Sequence, residues 1–273
     1  MTKGLSKINL TALTFGFAFL YLPIVLLVIY SFNASRLVTV WGGFSTKWYV
    51  ELWNNQQLID AALRSVQVGL VSATVATVLG TMAAIVLVRM GRFPGRTLFS
   101  GMIYAPLVMP DIITGLSMLL LFVAMDLSRG MFTLMLAHIT FSMCYVAIVV
   151  QSRLLTFDRS LEEAALDLGC PPAKTFFVVT LPIILPAVIS GWMLAFSLSI
   201  DDAVISQFAT GPGASTLPIE IFSAVRRGVS PQMNAVCTIL IAIVTTGVII
   251  ASIATKRAEV ARMREERAAM AGR

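Results

Sequence analysis

Charge is scarce in this chain, and so are the side chains that do chemistry. Only 12% of its residues are Asp, Glu, Lys or Arg, where an ordinary globular domain carries about 25%. Histidine occurs once, as His138, inside an apolar run that leaves it a structural role. The cysteines Cys144, Cys170 and Cys237 stand apart, without CxxC or Cys/His ligand spacing, and read as small apolar fillers. No metal site is expected, and no second histidine or nucleophile elbow completes a catalytic constellation. The nucleotide-binding pattern GxxxxGK[ST] is missing as well. Its one Lys-Thr pair, Lys174-Thr175, follows Ala173 rather than glycine. The chain cannot hydrolyse ATP by that route, so it is not expected to be an enzyme or to hold a cofactor of its own.

Hydrophobic side chain is what the sequence has in quantity, 58% of 273 residues, against roughly 45–50% in an ordinary domain. It is gathered in runs, and a membrane helix needs about 20 predominantly apolar residues. Six spans are expected in one all-α membrane domain, at 10–32, 64–88, 98–125, 131–151, 183–208 and 233–255. The first follows Lys3 and Lys7 as a signal peptide would. It is too long for an h-region and lacks a small-residue cleavage site, so it is expected to stay as an anchor. With these spans, fourteen of the twenty Lys and Arg fall on the side that carries both chain ends. Lys and Arg collect in the cytoplasm, so both termini, the loop 153–182 and a helical tail at 256–273 are expected there.

On the other side, Trp41, Trp48, Tyr49 and Trp53 suit the membrane–water boundary, with a short interfacial helix expected at 46–54. The Gly- and Pro-rich loop 209–232 is expected to fold around a short helix at 219–227. Matches to N-x-[ST] at Asn9 and Asn33 are read as accidental.

The segment 158–182 is a charged interruption between two apolar runs. Ser160 with Glu163 three residues on fits a capping box, and Glu162 and Glu163 suit the positive end of the helix. Ala164 and Ala165 offer a small surface for close packing, and Gly169 can take the left-handed conformation that ends a helix. Pro171 and Pro172 fit the entry to a second helix. Two short helices at an angle are expected, built to be gripped by a partner.

Glu163-Ala164-Ala165, then Gly169, then Val179-x-Leu181-Pro182 resembles the EAA loop of ABC importer permeases, with Val179 where that pattern usually has Ile. The resemblance implies the type I importer permease fold, with this loop as the coupling helix seated in a groove of an ATPase subunit. It assigns ATPase coupling to Glu163, Ala164, Ala165 and Gly169. Ala105-Pro-Leu-Val-Met-Pro110-Asp111, Ser199-Ile-Asp201-Asp202 and the stretch from Thr210 to Asn234 resemble polyamine importer permeases, nearest the second permease of spermidine/putrescine systems. That likeness implies a bacterial inner-membrane location and a second, homologous permease as heterodimer partner. It also implies two copies of an ATP-binding subunit that hold ATP and Mg, and a periplasmic polyamine-binding protein. The remaining partner is the lipid bilayer, and nucleic acid has no part.

Asp111, Asp201 and Asp202 are acids inside expected spans. An Asp at a helix centre costs about 2.5–3.5 kcal/mol on insertion scales, so such residues face a polar interior. At ~1.5 Å per residue, Asp111 lies roughly 20 Å along its span from the inner edge, and Asp201 and Asp202 roughly 27–29 Å along theirs. Pro106 and Pro110 each remove a helix hydrogen bond and free a carbonyl. Carbonyls and a carboxylate suit a diammonium ligand, which offers only donors, and Tyr104 and Trp192 are candidate cation–π faces. The alternative is that Asp111 caps a helix segment and Asp201/Asp202 mark a span edge. Three other functions compete: an importer permease for another solute, an ion-coupled secondary transporter using Asp111, and a membrane enzyme. The second usually shows an internal repeat, which this chain lacks, and the third lacks chemistry.

Overall fold

The computed structural model describes residues 6–37, 40–228 and 231–246, together with 249 and 253. The expected tail 256–273 and the last turns of the expected span 233–255 lie outside them. The described residues are helical, with one isolated bridge between Asn33 and Phe44. In order the helices are α1 Lys7–Ser31, α2 Lys47–Trp53, α3 Gln56–Arg89, α4 Arg96–Val108, α5 Asp111–Ala124, α6 Met131–Leu155, α7 Ser160–Asp167 and α8 Pro172–Thr175. A single π-helical turn at Phe176–Thr180 leads into α9 Leu181–Asp201, followed by α10 Val204–Ala209 and α11 Leu217–Arg227. The last is α12, Pro231–Thr246. Among the described residues, four helical stretches are long and apolar enough to cross a membrane: Ile8–Ser31, Gln56–Arg89, Met131–Leu155 and Pro172–Asp201.

The chain divides into two compact units, Met1–Gln56 with Ala224–Arg273, and Gln57–Ser223. In the first unit a loop held by hydrogen bonds to Asn33 follows α1. Asn33 is fully buried. Its Oδ1 accepts the Gly42 and Ser35 N–H groups at 2.7 and 3.1 Å, and its Nδ2 donates to Val40 O at 2.7 Å. Trp48 Nε1 donates to Asn33 O at 2.6 Å, and the Trp48 side chain is 5% exposed. Trp48 is therefore a core anchor, not the boundary residue the sequence suggests, whereas Trp53 is 79% exposed. A short helix stands where one was expected, as α2.

In the second unit α6 is central and packs on α4, α5, α9 and α10. One core cluster gathers Leu134, Phe141 and Ile205, and another gathers Val146, Val150, Leu154 and Ile184. Along α3, Gly69, Ala73, Ala76, Gly80 and Ala84 recur at helical spacing on the buried face. Small residues let membrane helices approach backbone to backbone. At Gly80 the approach is closest, since an added Cβ would stand 2.6 Å from Met143 O on α6.

Two expected spans are broken. The span 98–125 is two helices, because Pro110 has no N–H and forces the residue before it out of the helical region. Met109 accordingly sits at φ −77°, ψ 138°. Pro106 stays inside α4, so only one of the two prolines interrupts the helix. The span 183–208 breaks without proline, at Asp202, which is extended with φ −67°, ψ 120°.

Gly80→Val should destabilise the protein by about 1–3 kcal/mol, the usual cost of overpacking, because the clash is with backbone. Thermal unfolding of the purified protein checks this. Gly101→Ala, where a Cβ meets nothing within 4 Å, should leave the melting temperature unchanged.

Candidate functional site

The α7–α8 loop is built differently from its expected capping box. Helix α7 begins at Ser160, and no side chain caps it. The Ser160 N–H is instead taken by Asp158 Oδ1 at 3.0 Å, and that bond holds the exposed Asp158 carboxyl below its ordinary pKa. The C-terminus follows the expectation. Gly169 sits at φ +81°, Gly169 N–H donates to Leu166 O at 2.9 Å, and Cys170 N–H donates to Ala165 O at 3.0 Å. These are the paired bonds of a Schellman ending, which a Cβ at Gly169 would strain.

The second helix of the expected pair is not separate. Helix α8 is one turn, and it widens at Phe176–Thr180 before continuing as α9, with Leu181 N–H reaching back five residues to Phe176 O. Pro182 cannot donate to the preceding turn, and the register slips just ahead of it. Glu163, Ala164 and Gly169 are exposed and Ala165 is half-buried. Glu162 turns inward, where its Oε1 accepts Arg89 Nη2 at 3.0 Å and the Thr180 hydroxyl at 2.6 Å. Arg89 also lies over the Phe157 ring, 5.3 Å from its centroid. One carboxylate thus ties α7 to the foot of α3 and to the turn that starts α9. Sequence reasoning gave Glu162 only a dipole role; the partner is 73 residues away, and no local pattern reveals it.

At the other end of α9 the three acids separate. Asp111 is exposed in the first turn of α5, where the helix dipole favours a negative charge. Asp201 is exposed at the last position of α9. Asp202, only 12% exposed, accepts Ile205 N–H at 3.2 Å, Ser206 N–H at 2.7 Å and the Ser206 hydroxyl at 2.8 Å. Helices α5 and α10 are in contact, and an added Cβ at Gly115 would reach Phe208 at 2.6 Å and Ile205 at 3.3 Å. The candidate aromatic residues are already engaged. The Tyr104 hydroxyl donates to Gln151 Oε1 at 2.8 Å. Trp192 stacks on Phe196 at 5.4 Å and donates Nε1–H to Thr74 Oγ1 at 3.1 Å. Among the described residues, no group of His, Cys, Asp and Glu could hold a metal ion.

Residues 76–264 match the family of binding-protein-dependent transport system inner membrane components. The chain belongs to this family. It is a multi-pass membrane protein of the inner membrane, a transport subunit. Among its relatives is the putrescine transport system permease protein PotI of Escherichia coli strain K12, 54% identical over 97% of this chain and 96% of that protein. The spermidine/putrescine transport system permease protein PotC of Haemophilus influenzae is 43% identical over 88% of this chain and 93% of its own length. A crystal structure of a bacterial ABC transporter that imports the acidic polysaccharide alginate shares the fold, with a TM-score of 0.70 at 15% identity over 92% of this chain and 93% of that one. The fold is that of a type I importer permease.

The Arg89–Glu162 pair is 15% and 18% exposed, deep enough that an orphaned partner costs more than at a surface bridge. Glu162→Gln should lower stability by about 1–3 kcal/mol, read by thermal unfolding. The exchanged pair Arg89→Glu with Glu162→Arg should recover part of the loss.

Proposed function

We propose that this chain is one of two permease subunits of an ATP-driven importer of polyamines, putrescine or spermidine. The near end-to-end likeness to the putrescine permease of Escherichia coli, 54% over 97% of the chain, carries the reading. Its partners are a second, homologous permease, two copies of an ATP-binding subunit that hold ATP and Mg, and a periplasmic polyamine-binding protein. Both termini and the α7–α8 loop face the cytoplasm, following the bias of Lys and Arg. The assembled complex is an ATP-driven polyamine translocase, to which this chain contributes the path and the lever.

Two features of the geometry support this division of labour. The loop offers Glu163, Ala164 and Ala165 to a partner, beside an apolar knob at Leu168 that is 89% exposed, while Glu162 fastens it from behind. Far along α9, the broken helices expose Asp111 and Asp201. The last carbonyls of a helix lack partners within it, so the α9 terminus presents acceptors alone. A diammonium cargo presents donors alone. Asp111 and Asp201 are the candidates along the path, since Asp202 is bonded within the protein and Tyr104 and Trp192 already have partners.

Uptake of labelled putrescine and spermidine by cells that depend on this chain tests the cargo, and uptake of neither would overturn it. Asp111→Asn should cut uptake about tenfold, since a hydrogen bond to a charged group is worth about 1.5–3 kcal/mol. Glu163→Lys, or Gly169→Pro where φ +81° is closed to proline, should leave the chain inserted in the membrane while ATP hydrolysis no longer drives uptake. Wild-type uptake in both variants would remove the coupling role.

A further inference from the structure

His138 is the one histidine of the chain, and its side chain is 2% exposed. It sits among apolar neighbours on α6, yet both ring nitrogens are engaged. Nδ1 lies 2.5 Å from Ser199 Oγ on α9. Nε2 lies 2.9 Å from Ser206 Oγ on α10 and 3.4 Å from Asp202 Oδ2. The Ser206 hydroxyl proton goes to Asp202 Oδ2, so Nε2 carries a proton and donates it to Ser206 Oγ. One imidazole therefore bridges the helix before the break to the helix after it. Asp202 fills the break itself, accepting two backbone N–H groups that open α10. Its lone pairs are directed into protein.

Asp201, its neighbour, is exposed, and among the described residues it has no ion pair. Asp202 lies just outside α9 in extended backbone and is held inward, whereas Asp201, the last residue of α9, is exposed. Asp201 shares that terminus with the last carbonyls of α9, which lack partners within the helix.

We propose that the two adjacent acids have different roles. His138, through Asp202 and Ser206, is a positioning residue that pins the α9–α10 break, and Asp201 alone of the pair meets the cationic cargo. The assignment rests on the import of a cation proposed above, and the test separates the two.

The first arm needs no cargo. In the assembled complex, with Cys144, Cys170 and Cys237 replaced by alanine, Asp201→Cys and Asp202→Cys are each exposed to a cationic methanethiosulfonate. Asp201→Cys should react at least about tenfold faster, as an accessible thiol does beside a buried one. The second arm measures putrescine uptake against concentration. Asp201→Asn should raise the half-saturating concentration about tenfold with the maximal rate retained, by loss of a charge-assisted contact. Asp202→Asn and His138→Leu should lower the maximal rate without moving half-saturation. The double variant should be no worse than Asp202→Asn alone, because coupled residues are not additive. His138→Gln, which keeps a donor, should restore part of the rate. Equal labelling of the two positions together with a raised half-saturation in Asp202→Asn would overturn the assignment, as would full additivity of His138→Leu with Asp202→Asn. Unequal labelling in a complex that imports no putrescine would leave the division of roles standing and remove the cargo.

Discussion

A peptide group in the apolar part of a membrane has no water to turn to, so any interruption of a helix there must be satisfied by the protein itself. This constraint shapes the long apolar segments of the chain. Where the helix is interrupted at Met109 and Pro110, proline removes one of the donors that would otherwise need a partner. Where it is interrupted at Asp202 there is no proline, and the carboxylate takes the open N–H groups of α10 instead. Asp202 in turn needs company at 12% exposure, and it finds Ser206 and the only histidine. A polar cluster in an apolar protein is the consequence of a broken helix, and the broken helix is what leaves Asp201 and Asp111 at exposed termini.

The stretch Pro172–Asp201 connects the α7–α8 loop to the break at Asp202. It starts beside the loop pinned by Glu162, Arg89 and Thr180, widens by one residue at the π turn, and finishes at Asp201. Rigid helices are among the elements that carry coupling between distant sites. Any movement of the loop therefore reaches the foot of α3 and the start of α9 together, because one carboxylate holds both. The close approach of α3 to α6 through Gly80 keeps that foot in register with the rest of the unit.

Much of this was legible in the residues. Hydrophobic runs marked the long helices, the Gly169 ending followed from one glycine in the right place, and α2 and α11 stood where aromatic and Gly/Pro signals put them. What was not legible depends on distant pairs. The capping box at Ser160 and Glu163 looked sound locally, but Asp158 claimed the donor and Glu162 was drawn to Arg89. Trp48 looked interfacial until Asn33, 15 residues away, gave its indole N–H a buried partner. The sequence left open which of Asp201 and Asp202 faces the interior, and only the fold, by bringing His138 across 64 residues of sequence, buried Asp202 and left Asp201 exposed.

The sequence by itself determined that this chain is an all-helical membrane protein lacking the GxxxxGK[ST] pattern, with a loop that resembles the one of importer permeases. Those conclusions follow from composition, periodicity and a contiguous motif, all of which act over a few turns of helix. The tertiary structure alone decided which carboxylates are spent inside the protein and which remain exposed. Those outcomes are set by hydrogen bonds between residues far apart in the chain, and a buried polar group takes whichever partner the packing of helices brings within 3 Å or so.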